Sequence, residues 1–197
     1  MTISLLPEQI HQCGTGVFNA LAIALNSNLY NLNSTEDPYK ICLNQEADFI
    51  KSCYEQMNTR AASLSKGDFA LATKFIIKIQ NKEHSLAAME QLVPAIIVDK
   101  VGQGNDFSPE LKVCMSLPDY LKKACINGIV GGILEFGKPD YEYLEALDFC
   151  NYTDLSELDK KQCFKFVASS SYVIYSSDKA KHICDMIDKK YEPICKN

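Results

Sequence analysis

Apolar residues recur at helical spacing in a series of segments, shorter ones alternating with longer ones, and each is introduced by a polar cap or an early proline. The short segments open at Asp37-Pro38, Ser108-Pro109-Glu110, Lys138-Pro139-Asp140 and Ser177-Asp178. The longer ones follow start signals at Asn44, at Ser116-Leu117-Pro118-Asp119 and at Thr153-Asp154 with Glu157. Strict apolar–polar alternation is weak throughout. The nearest strand-like run, Ser171–Tyr175, falls where a long helix should be ending. The pattern predicts an all-α chain of helical hairpins.

Cysteines punctuate the same pattern. Cys42 and Cys53, Cys114 and Cys125, Cys150 and Cys163, and Cys184 and Cys195 form four pairs of nearly constant spacing, 11, 11, 13 and 11 positions apart. The second member of each pair, together with Cys13, marks a period of about 36 residues, the length of a helix-turn-helix repeat unit. The step from Cys53 to Cys125 spans two such periods. The intervening copy falls at Met89, where Met89–Lys100 aligns without gaps on Cys125–Phe136, and its first-cysteine slot falls near Ile79. Apolar residues in both slots are expected if the two face each other in a core. The chain therefore reads as an α-solenoid of about five hairpin repeats in one domain, residues 1–197.

Spacing alone leaves the connectivity open. Pairing within each short unit strands only Cys13, whereas pairing each second cysteine with the next unit's first strands Cys53, Cys114 and Cys195, so the local scheme is the more economical. It carries a geometric cost, because a cysteine two turns inside a helix must still come within about 7 Å of its partner. The intervening segment then has to fold back across the end of the short helix. Cys13 is expected to be unpaired, either as half of a staple whose partner lay upstream of a truncated N-terminus or as a free or intermolecular thiol.

Nine cysteines among 197 residues, eight of them in regular pairs, fit an oxidising compartment. The expectation is an extracytoplasmic protein, periplasmic, secreted or at the cell surface. The residues around Pro7, Glu8 and His11 lack the basic flank and apolar run of a signal peptide. With a formal charge of −5 and no long basic runs, nucleic acid is not the expected partner. Nor is membrane insertion expected, since the most apolar stretch, Val17–Leu25, is short and carries Asn19.

Candidate chemistry is sparse. Cys13 beside His11, and Cys184 beside His182, are two residues apart and would face different directions on a helix. Zinc prefers cysteines two to four residues apart, so no metal or other cofactor is expected. Gly128–Gly132 lies inside an apolar helix with no preceding strand and is no phosphate loop. Glu142 and Glu145 read as a solvated helix face, and Asn33-Ser34-Thr35 and Asn151-Tyr152-Thr153 as chance glycosylation sequons. The ten tyrosines, with no tryptophan, offer contact area and a polar tip at low entropic cost. Tyr141, Tyr143, Tyr172 and Tyr175 cluster in the last full units as candidate binding residues, with repeat-core packing as the alternative.

The run Val130-Gly131-Gly132-Ile133-Leu134-Glu135-Phe136-Gly137, followed by Asp140 and Ala146, resembles the core of Sel-one-like repeats, relatives of tetratricopeptide repeats. Gly67-Asp68-Phe69-Ala70 resembles the turn and first-helix entry of a tetratricopeptide unit. In that comparison Gly131 would let neighbouring helices approach and Gly137 would end its helix. The resemblance implies a superhelical scaffold presenting a concave surface to protein or peptide partners. The expected function is non-catalytic binding; the alternative is a helical carrier of a lipid or small hydrophobic ligand.

Overall fold

The computed structural model describes residues 6–27, 37–101 and 106–196. Among them every regular element is helical and no strand occurs. The chain divides into two compact units, residues 1–96 and 97–197.

The first unit opens with α1 (Pro7–Asn26), whose first turn carries Pro7 and whose entry is closed by the Gln9 side chain accepting the Leu6 N–H at 2.9 Å. A 3-10 turn, Lys40–Asn44, leads into α2 (Ala47–Gln56), which is followed by α3 (Asn58–Ser65), α4 (Phe69–Ile77) and α5 (Lys82–Ile97). Helix α1 packs on α2 and α3 and buries Gly14, Phe18 and Ala22. A methyl group added at Gly14 would stand 3.0 Å from Ser52 and 3.1 Å from the Phe49 ring, so at this close helix crossing any larger residue would have to push its neighbours aside. The buried Arg60 of α3 donates to the Leu25 carbonyl at 3.2 Å, satisfying a backbone oxygen at the end of α1. Helices α3 and α4 are joined by Lys66 and Gly67, both at positive φ, and Asp68 caps α4 by accepting the Leu71 N–H at 2.9 Å.

The second unit contains α6 (Ser108–Met115), α7 (Asp119–Phe136), α8 (Glu142–Cys150), α9 (Glu157–Ile174), α10 (Ser177–Asp185) and a closing 3-10 segment, Lys189–Lys196. The long helices α7 and α9 pack on each other and on α8 around a core that includes Leu121, Ile129, Ile133, Phe149 and Phe164. Short and long helices alternate here as the pattern of the sequence leads one to expect.

Several predicted helix starts move. Asp37-Pro38 forms a turn in which Asp37 accepts the Tyr39 N–H at 3.0 Å, and only the 3-10 turn follows. Asn44 ends that turn, and α2 starts three residues later. Thr153-Asp154 belongs to a connector; the cap of α9 is Ser156, whose hydroxyl accepts the Asp159 N–H. Lys138-Pro139-Asp140 forms a turn with Asp140 at φ 69°, and α8 begins at Glu142. The run Ser171–Tyr175 closes a helix, as its register required.

Four disulfides join Cys42 to Cys53, Cys114 to Cys125, Cys150 to Cys163 and Cys184 to Cys195, with Cα atoms 5.5 to 5.9 Å apart. Their geometry answers the cost noted above. In the first three pairs the leading cysteine lies at or near the end of a short helical segment, and its partner is the seventh residue of the following helix, at Cys53, Cys125 and Cys163. The connector carries the chain past the end of the short element, and nearly two helical turns, about 9 Å of rise, bring it back level with the first sulfur. Cys163 stands two residues further from its partner because the connector 151–156 is two residues longer than 43–46, while the helical offset is unchanged. Cys13 is free and exposed, and it too is the seventh residue of its helix, α1. Ile79 and Met89, at the slots without cysteine, are both buried.

The two glycines singled out in the sequence exchange roles. Around Gly131 the nearest neighbour of an added methyl group would be the Phe166 ring at 3.9 Å, ordinary contact, so no close approach depends on that glycine. Gly137 does end α7, but with extended backbone (φ −65°, ψ 174°) rather than a left-handed cap. What it provides is room. A Cβ at 137 would press against the Ile133 carbonyl oxygen and stand 2.7 Å from Glu142 Cβ.

Candidate functional site

Three of the four candidate tyrosines gather where α7 ends and α8 begins. Tyr143 and Tyr175 meet edge to face, with ring centroids 6.2 Å apart. Lys179, in the first turn of α10, places its ammonium 4.4 Å from the Tyr175 ring centroid and 5.2 Å from that of Tyr143, within cation–π range of both. The same nitrogen pairs with Asp140 at 3.0 Å. Tyr175 donates its hydroxyl proton to Glu142 Oε1 at 2.7 Å. Burial, then this bond and the Glu142 charge, push the Tyr175 phenol well above its ordinary range, so it remains a donor. Glu142 is mostly buried, and its second oxygen has no hydrogen-bond partner.

Tyr141 stands just outside this frame, 54% exposed, with Lys138 lying 4.7 Å over its ring. Tyr172 lies in the last turn of α9, just before Tyr175, and is 47% exposed, beside Val173 at 86%. Tyr143 and Tyr175 are tied into a lysine–carboxylate frame, while Tyr141 and Tyr172 leave ring surface to solvent. The part that Asp140, Glu142 and Lys179 play in the frame escaped the reading of the sequence. Neither Lys179 nor Glu142 was detectable from spacing: the chain is extended at Tyr175 and Ser176, so Tyr175 and Lys179 do not share a helix, and Glu142 comes from the start of α8, close against Gly137.

The first unit holds a second candidate, a cleft of about 410 Å³. One wall is a column of rings in which Tyr39 stacks on Tyr54 (centroids 5.8 Å) and Tyr54 on His84 (4.8 Å). Phe75, Leu43, Ile50 and Ile79 complete the apolar lining, and Gln80 and Asn81 add polar groups. Asp37 and Lys78 supply one charge of each sign. Tyr39 is 2% exposed, yet its hydroxyl has no hydrogen-bond partner. An orphaned hydroxyl of this kind costs about 1–3 kcal/mol. The three rings come from widely separated points of the sequence. Two of the rings flank the Cys42–Cys53 bond, which Tyr39 precedes by three residues and Tyr54 follows by one.

The thiol pairings considered from the sequence are otherwise engaged. His11 directs Nδ1 to Ser52 Oγ at 2.9 Å and Nε2 to Glu55 at 3.5 Å, and Cys184 is disulfide-bonded. Among the described residues no group of three or more His, Cys, Asp or Glu is placed to hold a metal ion, and no helix is long and apolar enough to cross a membrane. Glu142 and Glu145 are not the solvated pair expected, since Glu142 is buried against Tyr175. In the sequon Asn151-Tyr152-Thr153 the Asn151 amide donates to the Leu147 carbonyl at 3.2 Å; the sequon Asn33-Ser34-Thr35 lies outside the described residues. Comparison with protein-family models, with curated proteins and with solved structures yields no match.

Proposed function

We propose that this chain is an exported, non-catalytic α-solenoid scaffold that binds protein or peptide partners through the tyrosine surface of its second unit. The observation that supports the reading is that Tyr141 and Tyr172 leave ring surface exposed while, close to them in the sequence, Lys179, Asp140, Glu142, Tyr143 and Tyr175 hold one another. Exposed aromatic rings on a pre-ordered base are the makings of an interface hot spot, because little entropy remains to be lost on binding. Four disulfides are consistent with an oxidising compartment outside the cytosol.

The test is selection of a random peptide library on the oxidised protein, with affinities then measured on the parent and on a Tyr141→Ala/Tyr172→Ala variant. Enriched peptides are expected to lose at least about tenfold in affinity on the double variant, the loss that marks a hot spot. Failure to enrich any peptide, or equal binding to both proteins, refutes the proposal.

The repeat reading has its own test, since it treats Ile79 and Met89 as an empty staple. An Ile79→Cys/Met89→Cys variant should form a fifth disulfide, visible as a 79–89 cross-linked peptide in a non-reducing digest. Two free thiols at these positions after oxidative refolding would mean that the helices α4 and α5 are not a copy of the stapled hairpins.

A further inference from the structure

We infer that the cleft of the first unit binds a small aromatic monocarboxylate, its carboxylate held by donors of residues 78–84 and its ring set against the apolar lining. The volume of about 410 Å³ suits a ligand of one or two rings, and an apolar hollow with a few polar groups is the usual form of a small-molecule site. Leu43, Ile50, Phe75 and Ile79 supply the apolar surface, and the column of Tyr39, Tyr54 and His84 favours an aromatic body over an aliphatic chain. Entry needs no rearrangement. Leu43 is 68% exposed, and Lys78, Gln80 and Asn81 are exposed as well, so the polar groups stand at an open mouth.

The polar groups of the lining are divided by sign. Lys78, Gln80, Asn81 and His84 all come from the link between α4 and α5 and the first turn of α5. The Lys78 ammonium lies 6.0 Å from the centroid of the Phe75 ring, itself part of the lining, and has no carboxylate partner among the described residues. Asn81 uses its side-chain carbonyl to accept the N–H groups of Glu83 and His84, at 2.9 and 3.1 Å, which leaves its amide N–H groups to donate. Gln80 adds a second amide, and the His84 ring carries an N–H donor in either charge state. Helix α5 begins at Lys82, so the positive end of its dipole lies at the same edge. The one carboxylate of the lining, Asp37, is already engaged: it accepts the Tyr39 N–H at 3.0 Å, and Tyr39 is the ring at the other end of the column from His84. Burial and the Asp37 charge hold the Tyr39 and Tyr54 phenols above their ordinary range, so neither adds a negative charge. One anionic head is therefore attracted at the 78–84 edge, while a second anionic group meets repulsion from Asp37.

The experiment is titration of the oxidised, 15N-labelled full chain with hydrocinnamate and four comparison probes: hydrocinnamyl alcohol, phenylpropylamine, phenylsuccinate and acetate. Hydrocinnamate is expected to shift the amide resonances of Leu43, Tyr54, Lys78, Asn81 and His84 saturably. It should bind at least about tenfold tighter than the alcohol, the amine or the dicarboxylate, the worth of one charge-assisted hydrogen bond. Acetate, which has the head without the body, should not saturate. Lys78→Gln should weaken hydrocinnamate at least about tenfold and leave the alcohol unchanged. Because Lys78 is exposed and unpaired, this variant keeps its fold. Shifts that are absent, that lie outside the cleft, or that survive Lys78→Gln undiminished overturn the proposal. So does any comparison probe that binds as tightly as hydrocinnamate.

Discussion

Full reduction will melt the second unit before the first. Three of the four disulfides, Cys114–Cys125, Cys150–Cys163 and Cys184–Cys195, lie in residues 97–197, whereas the first unit has Cys42–Cys53 alone. A closed loop of this length restricts the unfolded chain by about 2.5–3 kcal/mol, so reduction removes about 8 kcal/mol of support from the second unit and about 3 kcal/mol from the first. A domain's whole net stability is about 5–15 kcal/mol. Helix α6 spans only eight residues, too few to persist without tertiary support. The measurement is hydrogen exchange with and without a phosphine reductant. Protection should collapse across α6–α10 while α2–α5 retain part of theirs; equal retention in both units would show that the bridges are incidental to stability.

The second large effect separates two glycines six residues apart. Gly137→Ala should lower stability by about 1–3 kcal/mol, the range for forcing an extra methyl into a packed site. Its φ of −65° suits alanine, so the penalty is steric: the new Cβ meets backbone at Ile133 and stands 2.7 Å from Glu142 Cβ. Relief by shifting Glu142 would break its bond with Tyr175 and loosen the support under Tyr141, so peptide binding should weaken in the same variant. Gly131→Ala should do the opposite, raising stability by about 0.5–1 kcal/mol, because a mid-helix glycine gives way to a better helix former whose methyl makes only ordinary contact with the Phe166 ring. Urea denaturation of both variants decides the matter, and shifts of the same sign in the two would contradict the packing described.

The helical class was readable because it rests on local signals: caps, prolines and cysteine spacing that recur along the chain. What local signals misplace is the helix start. Asn44 and Thr153 are good capping residues, yet the helices wait for Ser156 and for the residue after Glu46, since the connector must first clear the preceding element for the seventh helical residue to reach its sulfur partner. The glycine reading failed for a related reason. A small residue in a helical run shows that close approach is possible but not which neighbour is near, and the tight contacts fall at Gly14 and Gly137 instead of Gly131. Tyr141, Tyr143, Tyr172 and Tyr175 drew attention only because tyrosines cluster in the last units, and the edge-to-face contact of Tyr143 with Tyr175 was not legible there. The Tyr39–Tyr54–His84 column was missed, since it matches no period and its three rings meet only through the packing of the fold.

The constancy of the seventh-residue offset separates what this chain must preserve from what it can vary. Connectors of four and of six residues serve staples with the same Cα separation, 5.6 Å at Cys42–Cys53 and at Cys150–Cys163. Extra residues there alter neither helix phase nor bridge geometry, and the entropic penalty of a longer loop grows only logarithmically. Evolution can lengthen these links freely, and an engineer could graft a foreign epitope into one of them, while a single insertion between a helix start and its cysteine would rotate the sulfur by about 100° and leave the bridge unmade.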